Sequence, residues 1–345
     1  MSKLRVFFIP VERQNSLQVG FRNTLEILRQ GNIIEDYEIF SLTRVQEEIA
    51  KQAAILELIS AIKRFKPNFL LLQKPEGTGL KFEDFTKMLV GAPFFVYHEG
   101  DPYSRFLHPL PRESRLAAKF SSVTYVVGSG MFKSNMVRAG ANDVRWLPSA
   151  YEPSVFEFNE KPRKQHQVII IANKNQPRLR GLPGWRDRIS FVELLSKELG
   201  EGLAIYGKGW ELPQSKGSIP YESQIRVNSS AQITANWDHF PKEPGYFSDR
   251  LPISLASNAV HATTNHPLYS EFFGLDKPFL VGDTPRELLV KILRQLEKSE
   301  TQNTNLIKSA NNFADRHLRQ DDQLIKILSS FDSNLSNVKP RRLSN

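Results

Sequence analysis

The sequence predicts two α/β domains, each a doubly wound parallel sheet with helices on both faces, facing each other across a cleft. Three observations carry that prediction. Continuous apolar runs such as FLLLQ (69–73) and VIIIAN (168–173) alternate with longer amphipathic stretches. Unbroken apolar strands separated by helices are the pattern of parallel sheets covered on both sides. The alternation runs to about residue 150, meets a polar, proline-broken stretch at 152–167, and restarts. The chain has 345 residues, more than one ordinary core organises.

The elements follow in order. LRVFFIP (4–10) reads as a strand, 16–30 as a helix, YEIFSL (37–42) as a strand and 44–64 as one long helix with Ile49, Ala53, Leu56 and Ile59 at helical spacing. FLLLQ is a buried strand, 82–90 a helix, and PFFVYHEG (93–100) a strand running into a polar tip. VTYVVG (123–128) and VRWLP (144–148) complete the first series, with a helix from Ser129 to Ala139 between them. Ser129 suits its N-cap and Gly140 its C-terminus. In the second series VIIIAN, LAIYG, AQITANW, AVHATTN and FLVGD are the strands. The helices are Trp185–Leu199, a short one at 221–229, one in the 250s, one near 267–273 and Thr284–Lys298, then a final helical stretch over about 303–331. Domain limits are expected at 1–157 and 158–310, with 311–335 a helix packing back on the first domain and 336–345 a flexible tail.

Composition narrows the chemistry. There is no cysteine, which excludes a disulfide framework and a thiolate metal site. Forty-six Lys and Arg against 37 Asp and Glu leave a formal charge of +9. Such a charge suits a phosphorylated small molecule or an anionic membrane face. No basic helix, zinc-finger spacing or paired RNA-binding aromatics point to nucleic acid. The N-terminal apolar run ends at Pro10 and Glu12 and reads as a strand rather than a leader. No apolar stretch approaches the roughly 20 residues a membrane span needs. The expected location is cytoplasmic, with peripheral contact at the inner face of the membrane as a further expectation.

Doubly wound sheets bind ligands beyond the carboxyl ends of their strands. The strand-end residues worth naming are His98, Glu99 and Asp101; Asn173 and Lys174; Tyr206 to Trp210; Trp237 and Asp238; and Thr264 to His266. In YFSDR, Tyr246, Ser248, Asp249 and Arg250 stand where a helix should start. Helix starts attract anions, and Arg250 adds a bidentate fork for phosphate oxygens. Ser248 or Asp249 is expected to cap that helix, with Pro252 in its first turn. An ordinary cap with a surface arginine explains the stretch equally well. ANKNQPRLRG (172–181) places Lys174, Arg178 and Arg180 on a strand-end loop, which suits a diphosphate or is simply a basic loop. In IYGKGW, Gly207 and Gly209 permit close backbone approach and Lys208 stands between them, a weak signal. In YHEGDPYSR, His98, Glu99 or Asp101 would accept a proton from a hydroxyl if aimed into a cleft; Gly100-Asp101-Pro102 is also good turn chemistry. No H-E-x-x-H, H-x-H or D-x-D cluster, Walker A run or nucleophile elbow occurs, so neither a metal nor another cofactor is expected.

These features resemble the GT-B glycosyltransferases, built from two Rossmann-like domains. VVGSGMFKSNMVRAGANDVRWLPSAYEPSVFEF (126–158) is similar to the end of their N-terminal domain. The stretch from Tyr246 to about Leu328, with DTPRELLVKILRQLEKSE, resembles the C-terminal half of the CgeB-like (spore-maturation-protein-like) glycosyltransferases. YFSDR is also similar to the donor motif of the α-1,3-fucosyltransferases, with Asp249 and Arg250 in place of its Glu-Lys pair. The resemblance implies a metal-independent hexosyltransferase-type enzyme moving a sugar from a nucleotide-sugar to a glycan, lipid-linked or protein hydroxyl, as in polysaccharide biosynthesis. It implies an acceptor-side first domain and a second domain that holds the donor through Asn173, Lys174, Arg178, Tyr206, Gly207, Lys208, Ile219, Pro220, Asn236, Tyr246, Ser248, Asp249 and Arg250. The region around the donor helix lacks the paired glutamates of many retaining relatives, which favours inversion with Asp101 as base, then Glu99 or His98. Alternatives on the same fold are a nucleotide-sugar epimerase and a non-catalytic nucleotide-sugar binder.

Overall fold

The apolar runs become two parallel sheets. The computed structural model describes residues 4–14, 17–104, 108–154, 163–175 and 182–340. By backbone contacts the chain divides into unit 1, Met1–Leu147 with Gln320–Asn345, and unit 2, Pro148–Arg319. The sequence-based limits at 157 and 310 lie ten residues past the first division, at Leu147, and nine before the second, at Arg319.

Unit 1 contains β1 (Arg5–Ile9), α1 (Val19–Gln30), β2 (Asp36–Ile39), α2 (Leu42–Glu48), α3 (Lys51–Phe65), β3 (Phe69–Gln73), α4 (Phe82–Val90), β4 (Phe94–Glu99), α5 (Arg112–Phe120), β5 (Val123–Val126), α6 (Met131–Arg138) and β6 (Val144–Trp146). Its sheet runs β2-β1-β3-β4-β5-β6, all neighbours parallel. Successive side chains alternate between two cores, so Phe7, Leu70, Phe95 and Tyr97 face one and Val6, Phe8, Leu71 and Val96 the other. The strand order reverses between β1 and β3, which puts the ligand crevice at their carboxyl ends.

Unit 2 contains β7 (His166–Ile171), α7 (Trp185–Leu199), β8 (Leu203–Tyr206), β9 (Ser215–Gly217), α8 (Gln224–Ser229), β10 (Ala231–Ala235), α9 (Arg250–Leu255), β11 (Val260–Thr264), α10 (Tyr269–Phe273), β12 (Leu280–Gly282), α11 (Pro285–Leu296) and α12 (Glu300–His317). Its order is β12-β11-β10-β7-β8-β9, again all parallel, and the reversal lies between β7 and β10. One face of this sheet, with Ile170, Ile205, Ile233 and Ala262, packs in an apolar core with Phe191 and Leu195 of α7 and Ile292 of α11. Helix α11 starts as its sequence dictates: Thr284 Oγ1 accepts from Glu287 N at 3.2 Å, and Pro285 opens the helix.

Several boundaries differ from expectation. The long helix expected at 44–64 is two, α2 and α3, because Ile49 takes extended backbone (φ −132°, ψ 168°). Helix α5, amphipathic over its nine residues, and the three-residue strand β9 were not predicted. The final helical stretch breaks between α12 and α13 (Gln320–Leu328). There Tyr151 N donates to Leu318 O at 2.9 Å, and Tyr151 bridges to Arg319, diverting that backbone from a continuing helix. Chain contacts place α13 in unit 1, against the core of Val6, Phe8 and Leu25. Gly130, not Ser129, occupies the N-cap of α6. Among the described residues no helix is long and apolar enough to cross a membrane.

Candidate functional site

Unit 2 collects charge at the reversal of its strand order. Arg250 opens α9, and its Nε donates to the carbonyl of Ile171, the last residue of β7, at 2.6 Å. No hydrogen bond among the described residues uses its terminal amines. Behind it lies Asp238, 1% exposed, just past the end of β10. Asp238 Oδ1 accepts from Asn236 Nδ2 (2.8 Å) and Ser248 Oγ (3.0 Å), while Oδ2 faces His266 Nε2 at 3.2 Å. Its own N–H donates to Thr264 Oγ1 at 2.8 Å. Burial pushes this carboxyl up. The hydrogen bond from His266 and the charges of Arg188 and Arg250 outweigh that and hold it below its ordinary value.

Arg188 comes from α7 and is 3% exposed. Its Nε donates to Trp237 O at 2.6 Å. Gly184 lets α7 start this close to the 238–239 backbone. Its φ is +71°, and a Cβ there would lie 3.0 Å from Asp238 O. Burial, then the neighbouring charge of Arg250, pulls Arg188 below the usual arginine value. His239 is buried too, with Nε2 3.3 Å from Asn175 Nδ2; burial, helped by both arginines, takes it down to about 3, so it is neutral at pH 7.

The predicted donor residues divide accordingly. Asn236, Ser248 and Arg250 belong to this cluster. Asn173 and Lys174 pair with the 207–208 loop: Lys208 N donates to Asn173 Oδ1 (2.9 Å) and Lys174 N to Lys208 O (3.0 Å). Gly207 is required there, since at φ +132° a Cβ would meet Ala172 O at 2.2 Å. Lys208 is exposed and Tyr206 half-buried beside them, while Ile219 and Pro220 lie on the surface beyond β9. Tyr246 is buried, 5.9 Å from Phe240 and 5.7 Å from His266 ring to ring. Arg178 lies outside the described residues. The expected cap did not form: Asp249 holds the N-cap position of α9 with helical backbone and makes no capping bond, and Ser248 serves Asp238 instead. Helix α9 spans six residues, too short to act as an anion site through its dipole. Charge here comes from arginines.

In unit 1 the three predicted acid–base residues part ways. Glu99 is 0% exposed. It accepts from Tyr97 Oη, from Ser114 Oγ at 3.2 Å and from Asp101 N at 3.1 Å. Burial raises it to about 7, against lowering by Tyr97. The His98 ring stacks on Phe21, 6.5 Å away, and its Nδ1 lies 3.3 Å from Gln73 Nε2. Burial brings it down to about 4. Asp101 keeps a 42% exposed side chain and pairs with Lys74, whose ammonium is also 3.7 Å from Glu76. Lys74 reaches them from backbone at φ +30°, unusual for a residue with a Cβ. Burial alone would lower Lys74; Asp101, Glu99 and Glu76 hold it above its ordinary value. Of the three, Asp101 alone offers a carboxylate to solvent. At the end of β1 Glu12, wholly buried, takes both Nε and Nη2 of Arg22 at 2.8 and 2.6 Å, a link the sequence reading did not single out. Among the described residues no group of three His, Asp or Glu side chains is gathered as a metal site.

Residues 186–329 match the family described as glycosyl transferase-like. No curated protein matches the sequence. Among solved structures the fold resembles a glycosyltransferase from Rickettsia africae (TM-score 0.62, 12% identity, 98% of this chain and 100% of that one). It also resembles T4 phage BGT in complex with its UDP-glucose substrate (0.60, 11%, 97% and 100%). Anabaena HepE in complex with UDP-glucose is a third (0.58, 11%, 95% and 100%). The expected two-domain GT-B architecture is therefore the observed one.

Proposed function

We propose that this chain, GT-B in fold and glycosyl transferase-like over residues 186–329, transfers a sugar from a UDP-linked donor to a hydroxyl acceptor. The observation that carries the reading is Arg250, fixed by the Ile171 carbonyl at the carboxyl end of β7 with its terminal amines available. Two of the similar structures hold UDP-glucose, which motivates the uridine nucleotide. In this reading Arg250 meets the diphosphate, held by the Ile171 carbonyl and drawn by the charge of the buried Asp238.

The chemistry we assign is inverting and independent of metal. The acceptor oxygen forms the new bond to the anomeric carbon and gives its proton to Asp101. The bond from that carbon to the diphosphate oxygen breaks, and the electron pair leaves with the diphosphate. Arg250 stabilises the charge that develops there, the task a cation performs elsewhere. Asp101 is favoured over Glu99 and His98 because it is the one of the three with an exposed carboxylate. A hexosyl donor, a glycan, lipid-linked or protein acceptor, kinship with the CgeB-like enzymes and peripheral contact with an anionic membrane complete the reading. The ion pair of Asp101 with Lys74 favours one rival, a protein that binds the donor without transferring it.

A thermal-shift panel of UDP-, GDP-, dTDP- and CMP-sugars tests the donor. A ligand at 100 times its Kd stabilises by about 2.7 kcal/mol, and the UDP-sugars are expected to give that response. Arg250→Ala is expected to abolish it. An unchanged response in that variant would place the diphosphate elsewhere, and a shift without release of UDP in any acceptor screen would favour the rival.

A further inference from the structure

The face of the unit 2 sheet beneath α8 and α9 is unusually polar. Thr234 and Asn236 of one strand line and His261 and Thr263 of its parallel neighbour point the same way, all buried. A small cavity opens among Ile171, Asn236, Ser254, His261 and Arg250, with about 10 Å³ of room for the centre of a water molecule. That is space for about one water.

Two of its lining residues, Asn236 and His261, each carry a buried polar atom with no partner among the described residues. Asn236 is 2% exposed, and its amide orientation is set because Nδ2 donates to Asp238 Oδ1, leaving Oδ1 an unmet acceptor. His261 is 1% exposed, with Nδ1 held 2.9 Å from Thr234 Oγ1 and Nε2 unmet. Arg250 supplies donors, since its Nε alone is committed. Buried polar groups in folded proteins are almost always satisfied, and a bridging water with about three bonds is the usual means.

We propose that this cavity holds one ordered water joining Arg250, Asn236 and His261, and that His261 is a positioning residue for the Arg250 guanidinium. The water accepts from an Arg250 Nη group and donates to Asn236 Oδ1. It meets His261 as donor if the proton is on Nδ1 and as acceptor if it is on Nε2, so either tautomer is served. Arg250 is then tethered on two sides, by the Ile171 carbonyl and by the water, with one edge of its fork left for a ligand. The water does not depend on the nucleotide-sugar reading; the effect on ligand binding rests on it.

A high-resolution crystal structure of the full chain without nucleotide tests the water directly. The expected result is a single peak within about 2.7–3.2 Å of both Asn236 Oδ1 and His261 Nε2; an empty cavity overturns the proposal. Calorimetry with UDP and with uridine tests the positioning role. His261→Phe fills the space and removes the polar atom. It is expected to weaken UDP about tenfold, the loss of one bond to a charged group, and to leave uridine, which has no phosphate, unchanged. His261→Gln keeps a polar tip and should restore UDP binding to within about threefold. Equal loss for both ligands, or none, overturns the role. If the wild type binds no nucleotide, the donor reading fails while the density still decides the water. The same density decides it if the Phe variant does not fold.

Discussion

Each half of the molecule carries a buried carboxylate at the carboxyl end of a central strand, Glu99 in unit 1 and Asp238 in unit 2, and the two are driven in opposite directions. Burial pushes both up. Glu99 meets hydroxyls and one backbone N–H and rises to about 7; Asp238 meets His266 and two guanidinium charges and falls below its ordinary value. Burial is common to the two sites; the partners decide which carboxylate carries charge. Unit 2 uses its charge as a buried anchor behind Arg250. Unit 1 keeps Glu99 as a hydrogen-bonded support, and the exposed carboxylate there is that of Asp101, whose backbone N–H Glu99 holds.

The sharpest break in this comparison is Asp238→Ala. It leaves His266 buried without its acceptor and Arg188 without the opposing charge, and removing one partner of a buried ion pair costs about 3–5 kcal/mol. Urea unfolding at pH 7 is expected to show a loss of that size. A loss below about 1 kcal/mol would mean that the anchor is not charged. Next comes Glu99→Gln, a mimic of the protonated acid. The folded carboxyl titrates near 7 and the unfolded one near 4.5. Between those values the folded state holds more proton than the unfolded one. The native glutamate is therefore at its best below about pH 4.5 and loses stability as pH rises to 7. The glutamine variant should equal wild type at low pH and exceed it by about 3 kcal/mol above pH 7. Parallel stability curves would sink this assignment. His98 and His261, each lowered to about 4, run the other way, gaining stability as pH rises, and cancel in the comparison because both proteins contain them.

The same contrast explains what could be read from the sequence. The strands were legible because parallel strands buried on both faces are continuous apolar words; β3 and α7 match their expected limits to the residue. Strand ends were legible as places, and Asp238 and His266 stood among them. Their partnership was not, because it joins side chains from β10, β11, α7 and α9 that are far apart in sequence. Arg188 left one trace: it occupies the first position of the buried stripe Arg188, Phe191, Val192 and Leu195, an arginine where the helix calls for an apolar residue. The polar letters of AQITANW and VHATT, alternating inside otherwise apolar strands, were a comparable sign of the wet inner face. Nothing in HEGD distinguished Glu99 from Asp101, since which of them faces solvent is set by strand parity and by Lys74 reaching over from the end of β3.

The smallest effect belongs to that lysine. The Lys74–Asp101 pair is 31% and 42% exposed, so solvent screens it, and its coupling in a double-mutant cycle of Lys74→Met and Asp101→Asn is expected at about 0.2–1 kcal/mol of stability. Turnover separates the two residues. If Asp101 takes the acceptor proton, Asp101→Asn should lower kcat by about 10²–10⁴-fold, with the UDP-sugar thermal shift retained because unit 2 is untouched. Lys74→Met keeps the carboxylate and should retain most of kcat. A coupling of about 3 kcal/mol or more, the size of a sealed pair such as the one around Asp238, would put Asp101 in the structural class with Glu99. The base would then have to be sought among other groups.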